Sequence, residues 1–105
     1  MITATVQFKY AKGTSREVAM KNLKASVPRF LGAKGLIRKH YLYSDNGIGG
    51  GAYLWESREA AETMYTPEWR KQLAKRYGAE PTVTYFETPF VIDNTTGDVI
   101  DDTGV

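Results

Sequence analysis

Arg38, Lys39, His40 and Tyr41 stand consecutively, so two cations, an imidazole and a phenol fall within four positions. His40 is the sole histidine of the chain. An imidazole titrates near neutrality and can act as general base or proton donor to a substrate hydroxyl; it can equally sit mid-strand, bonded to a neighbouring side chain. In a strand, alternate residues share a face, which groups Arg38 with His40 and Lys39 with Tyr41. One pair then lines a cavity and the other meets the layer that covers the sheet. Long cations pack poorly beneath helices yet stabilise an anionic substrate, so each pair contains one group suited to function. Arg38 and His40 are taken here as the cavity pair and as the catalytic candidates.

A second set of residues has the shape to hold a flat molecule. Tyr53 and Trp55 share a face of one predicted strand and can stack on a ligand or fill a core. Tyr65 and Trp69 flank Thr66 and Pro67, where one helix breaks and another begins; that suits a lid over a cavity mouth or a plain kink. Glu87 can accept a proton or pair with Lys39 or Arg38 across the sheet or a dimer, and the ion pair is favoured. The expected pocket is therefore Lys39, Tyr41, Tyr53, Trp55, Tyr65, Trp69 and Glu87.

Other chemistries find no residues to carry them. With no cysteine and one histidine, a metal site is not expected, and thiol nucleophiles and disulfides are absent. Gly47, Gly49, Gly50 and Gly51 lead into a strand rather than a helix and lack the lysine of a phosphate-binding loop. The apolar and charged fractions, 42% and 25%, are those of a globular protein, and 105 residues suffice for one core. No apolar run approaches the ~20 residues that cross a bilayer. Met1 to Phe8 lacks the pattern of a secretory leader and is expected to be a mature, cytoplasmic start. The formal charge of +2 conceals an asymmetry, because Asp93, Asp98, Asp101 and Asp102 leave the preceding body at +6. Arg70, Lys71, Lys75 and Arg76 alternate with an apolar stripe and are expected to face water.

These residues need elements to place them. Ile2, Ala4, Val6, Phe8 and Tyr10 alternate with polar residues, the period of a strand covered on one face. Thr14 with Glu17 forms a capping box, and Ala19, Leu23 and Val27 recur as a helix stripe until Pro28 kinks or ends it. Leu36–Tyr43 and Ile48–Glu56 read as strands joined by the Asp45, Asn46, Gly47 turn. Ser57 caps a third helical segment, Thr66 with Pro67 starts a fourth, and Gly78 closes it. Val83–Ile92 is a final strand. The order β-α-β-β-α-β predicts a ferredoxin-like α+β sandwich: one four-stranded antiparallel sheet with helices on one face. Residues 1–92 form the single domain, and 93–105 are an acidic tail, disordered or lying as an arm on a partner subunit. The many aromatics on the sheet call for a covered second face, which a homodimer supplies.

The segments GLIRKHYLYS (35–44), GGAYLWESREAAE (50–62), YTPEW (65–69) and RYGAEPTVTYFETP (76–89) together resemble the dimeric α+β barrel superfamily, and within it the YdhR-type proteins labelled monooxygenases. The resemblance covers almost the whole chain. It implies a homodimer whose sheets face each other around a cavity. It also implies a small hydrophobic or aromatic ligand, and oxidation of phenolic rings with no metal or flavin cofactor. In such chemistry the substrate loses a proton and the electron-rich anion meets oxygen directly, so the protein supplies a base, a cation and a dry pocket. Lys39, Tyr53, Gly50 and Gly51 match this branch, none of them as an established catalytic residue.

Two other functions fit the same element order. A small-ligand-binding or structural dimer without chemistry is favoured if no titratable group reaches the cavity. An RNA-recognition module would need an aromatic, basic third strand; GGGAYLWE half resembles that segment, without its leading cation and with Glu56 in place of its final aromatic.

Overall fold

The computed structural model describes residues 1–104; of the tail expected over 93–105, Val105 lies outside the described residues. The chain folds as β1 (Ile2–Lys9), α1 (Arg16–Ala25), α2 (Val27–Phe30), β2 (Leu36–Tyr43), β3 (Ile48–Trp55), α3 (Arg58–Met64), α4 (Pro67–Tyr77), β4 (Thr82–Glu87), β5 (Phe90–Asp93) and β6 (Asp98–Asp101). The first four-stranded sheet has the order β2-β3-β1-β4 and is antiparallel throughout. Helices cover one of its faces, the predicted ferredoxin-like α+β arrangement.

Local chemistry sets the element ends. Ser15, rather than the expected Thr14, caps α1, because its hydroxyl accepts from Val18 N while Thr14 bonds back to Ala11 O. Pro28 stands in the first turn of a separate short helix, so the stripe through Val27 is broken at Ser26 instead of bending. Ser57 and Thr66 cap α3 and α4 as expected, and Gly78 takes the left-handed conformation that ends α4.

The final strand differs from the sequence reading. β4 stops at Glu87, where Thr88 N bonds Met1 O, and Phe90 begins a separate hairpin whose second strand is the acidic segment Asp98–Asp101. Residue 92 lies inside that hairpin. Alternation places Phe90, Ile92 and Val99 on its outer side, each more than half exposed, and Val91 on its inner side. Arg38 reaches Asp93 at 3.1 Å and the Met1 amine pairs with Asp102, which ties the hairpin to the sheet.

The core lies between sheet and helices. Ala4, Val6, Tyr53 and Trp55 from the sheet meet Phe30, Ala61, Tyr65 and Trp69 from the helices. The sheet's other face displays Thr3, Thr5, Gln7, His40, Leu42, Ala52, Leu54, Thr84 and Phe86, by the register of the pairs Thr3↔Leu54, Thr5↔Ala52 and His40↔Ala52. Among the described residues no helix is long and apolar enough to cross a membrane.

Candidate functional site

The register Lys39↔Tyr53 and Tyr41↔Gly51 turns Lys39 and Tyr41 toward the helices, where Tyr53 is core. Arg38 and His40 therefore face the other way. That is the side away from the helix layer on which this pair was expected; the cavity formed within the chain, however, opens on the helix side, where α1, α2 and α4 stand off the sheet, and takes in Lys39 and Tyr41 instead. It has a volume of about 300 Å³ and opens between α1, α4 and strands β1 to β3. Its polar wall is Asn22, Ser26, Arg29, Lys39, Gln72 and Arg76; its apolar wall includes Phe8, Leu23, Phe30, Tyr53, Trp69 and Leu73.

Lys39 is the centre of this site. Its ammonium lies 3.6 Å from the Phe30 ring centroid, 3.9 Å from Tyr41 and 4.5 Å from Tyr53. No carboxylate of the described residues pairs with it. Burial, and after it the Arg29 guanidinium, lower Lys39 to about 7. The three ring faces attract the charged form. Ammonium and free amine thus both exist near neutral pH, in contact with the cavity.

Glycine makes the space for that side chain. A Cβ on Gly51 would stand 2.9 Å from Lys39 Cε and 3.0 Å from the Tyr53 ring. At Gly50, where φ is +151°, a Cβ would fall 1.8 Å from Val6 O. The glycine run that weakens β3 in isolation is what lets a lysine and a tyrosine lie flat on it.

Hydrogen bonds stiffen the remaining walls. Ser26 Oγ donates to Leu23 O and accepts from the Tyr41 hydroxyl, both at 2.8 Å. Asn22 Oδ1 accepts from Tyr10 and Tyr77, leaving the amide N–H pair as donors toward a ligand. Behind the cavity, Trp55 Nε1 donates to the Tyr65 hydroxyl at 3.0 Å, and burial pushes the Tyr53 and Tyr65 phenols up.

The structure thus gathers Lys39, Tyr41, Tyr53 and Trp69 around one cavity. Trp55 and Tyr65 sit in the core beside it, Tyr65 being 4% exposed, so the Tyr65–Trp69 junction packs inward rather than forming an exposed flap. Glu87 is exposed at the end of β4, and the ion pair foreseen for it with Arg38 is made instead by Asp93. Hydrogen bonds from Thr95, then from Arg38, hold the Asp93 carboxyl at about 2.

Sequence reasoning missed Asn22, Ser26, Arg29, Gln72 and Arg76. Arg76 had been assigned to water with its neighbours, yet it lines the cavity. The available signal was spacing: Gln72 and Arg76 are four apart and border Trp69 and Leu73 on the same helix, and Asn22, Ser26 and Arg29 follow the corresponding rows of α1 and α2.

Tyr53 and Trp55 point into the core, so β3 presents no stacking platform on the open sheet face, and the resemblance to an RNA-binding strand has no structural counterpart. Among the described residues no cluster of three or more His, Cys, Asp or Glu side chains is placed to hold a metal.

The sheet order and the helices on one face give an α+β fold shared with solved structures that include antibiotic biosynthesis monooxygenases. Rv0793 from Mycobacterium tuberculosis superimposes with a TM-score of 0.64 at 17% identity, over 89% of this chain and 97% of that one. The monooxygenase from the gene ActVA-Orf6 of Streptomyces coelicolor, solved in complex with nanaomycin D, gives 0.62 at 18% identity over 88% and 90%. A provisionally assigned antibiotic biosynthesis monooxygenase from Deinococcus radiodurans gives 0.62 at 15%, over 89% and 97%. At these identities the likeness is one of fold. No protein-family model matches the sequence, and no curated protein is similar to it in sequence.

Proposed function

We propose that this chain is a cytoplasmic, homodimeric monooxygenase that binds a small aromatic molecule in the helix-side cavity and oxidises it without a cofactor. The observation that carries the reading is Lys39: a lysine without a carboxylate partner among the described residues, lowered to about 7, inside a ring-lined cavity. Its free amine takes the proton of a phenol at neutral pH. Arg29 and Arg76 favour the resulting phenolate. The electron-rich ring then donates to dioxygen; one oxygen atom ends as a second ring carbonyl, the displaced ring hydrogen and the phenol proton leave with the other as water, and the phenol becomes a quinone. A cavity without titratable groups would have favoured a non-catalytic binder, and three cations reach this one.

The dimer reading rests on the hairpin. Phe90, Ile92 and Val99 form an outward apolar stripe, and Phe86 of the open sheet face is also more than half exposed. A second copy is the occupant argued for, since the acidic hairpin complements a body of charge +6.

The site is tested by titrating nanaomycin D, the ligand of the Streptomyces neighbour, against tryptophan fluorescence, because Trp69 lines the cavity. Saturable quenching is expected, weakened about tenfold (~1.4 kcal/mol) by Lys39→Met. Oxygen uptake with a dihydroxynaphthalene should match quinone formed one to one and fall in the same variant. Binding that ignores Lys39→Met refutes the site; binding without oxygen uptake refutes the oxidation and leaves a ligand carrier.

A further inference from the structure

We propose that Lys39 captures carbonyl compounds: its ε-amine, held among Phe30, Tyr41 and Tyr53 with no carboxylate partner among the described residues, condenses with a small aromatic aldehyde that enters the cavity. This goes beyond proton transfer to a phenol and needs neither oxygen nor a dimer.

The geometry suits both partners. A cavity of about 300 Å³ holds a compact aromatic molecule, and the faces of Phe30, Tyr53 and Trp69 give its ring apolar walls beside the amine. The Lys39 nitrogen attacks the carbonyl carbon, and the carbonyl electron pair moves to oxygen. That oxygen develops negative charge in a cavity whose wall includes the Arg29 guanidinium of α2 and the Asn22 amide of α1. After a proton passes from nitrogen to oxygen, the nitrogen lone pair expels water and a C=N bond remains. Amine and aldehyde thus give imine and water, with no change of oxidation state. The protonated imine keeps a cationic nitrogen over the same three rings that hold the ammonium, so the product gains the same cation–π attraction. Gly51 permits the approach, since any Cβ there would press on the Lys39 stem.

Burial adds to this geometry. With Lys39 at about 7, the free-amine fraction at neutral pH is roughly a thousandfold that of an exposed lysine near ~10.4. Only the free amine attacks a carbonyl.

The test uses the full chain, 4-hydroxybenzaldehyde and cyanoborohydride at pH 7, with sites located by peptide mapping. The expected result is reductive alkylation of Lys39 at least about tenfold faster than at any other lysine, a conservative share of that free-amine advantage. Lys39→Arg should remove that adduct and leave the slow background. Alkylation of exposed lysines or the Met1 amine with Lys39 unmodified would overturn the proposal, as would modification of Lys39 at the common rate. Mapping the unaltered protein decides the matter whether or not the variant folds. An adduct at Lys39 without oxygen uptake would sustain carbonyl capture and refute only the oxygenase reading.

Discussion

Replacing Lys39 by Met should change how stability depends on pH. In the unfolded chain Lys39 has its ordinary value of 10.5, and in the folded protein about 7. Between those values the unfolded state binds more protons, so folding becomes more favourable as pH rises; below about 7 both states are protonated and the fold bears the full cost of a covered ammonium. Integrated from pH 7 to 9, one lysine shifted this far contributes about 2 kcal/mol. The ammonium keeps some contact with solvent and with three ring faces, which reduces the figure to about 1 kcal/mol. Relative to Lys39→Met, the unaltered protein should therefore gain about 1 kcal/mol over that interval, or roughly 4–8 °C in Tm. Every other titrating group is present in both proteins and cancels in the difference. Urea unfolding followed by circular dichroism at several pH values measures it. Parallel curves, with a difference constant within ~0.3 kcal/mol, would refute the shifted lysine and remove the basis for a free amine in the cavity.

Tyr65→Phe leaves the buried Trp55 indole N–H without its acceptor and should cost about 1–3 kcal/mol, read as a lowered urea midpoint with unchanged slope. Gly50→Ala forces a Cβ against Val6 O in a backbone conformation that L residues rarely adopt; a loss of about 3 kcal/mol or more is expected in the same assay, and a neutral result would mean that β3 takes another path. A chain ending at Thr88, without the hairpin, should dissociate to monomers at a higher concentration than the full chain in sedimentation equilibrium. Equal dissociation would count against the hairpin as a clasp on a second copy.

Much of the fold was legible because its signals are local. Alternation in Ile2–Lys9, the Asn46-Gly47 turn, Ser57, Thr66 with Pro67, and Gly78 each act within a few residues, and they mark the elements wherever those elements go. The hairpin was less legible. Phe90 to Ile92 reads as a continuation of β4, and the break at Thr88-Pro89 depends on a partner at the far end of the chain, Met1 O.

The sequence by itself determined the class of this protein: a β-α-β-β-α-β order, no thiol chemistry, and two alternating pairs of functional groups on β2. Only the tertiary structure decided between those pairs. Strand parity separates Arg38 and His40 from Lys39 and Tyr41 but does not say which face the helices cover, since that depends on pairing with Tyr53, fourteen positions after Lys39, and with Gly51, ten after Tyr41. The same holds for the low value of Lys39. It arises from burial between α2 and β3 and, after that, from the Arg29 guanidinium of α2, whose approach no local pattern encodes.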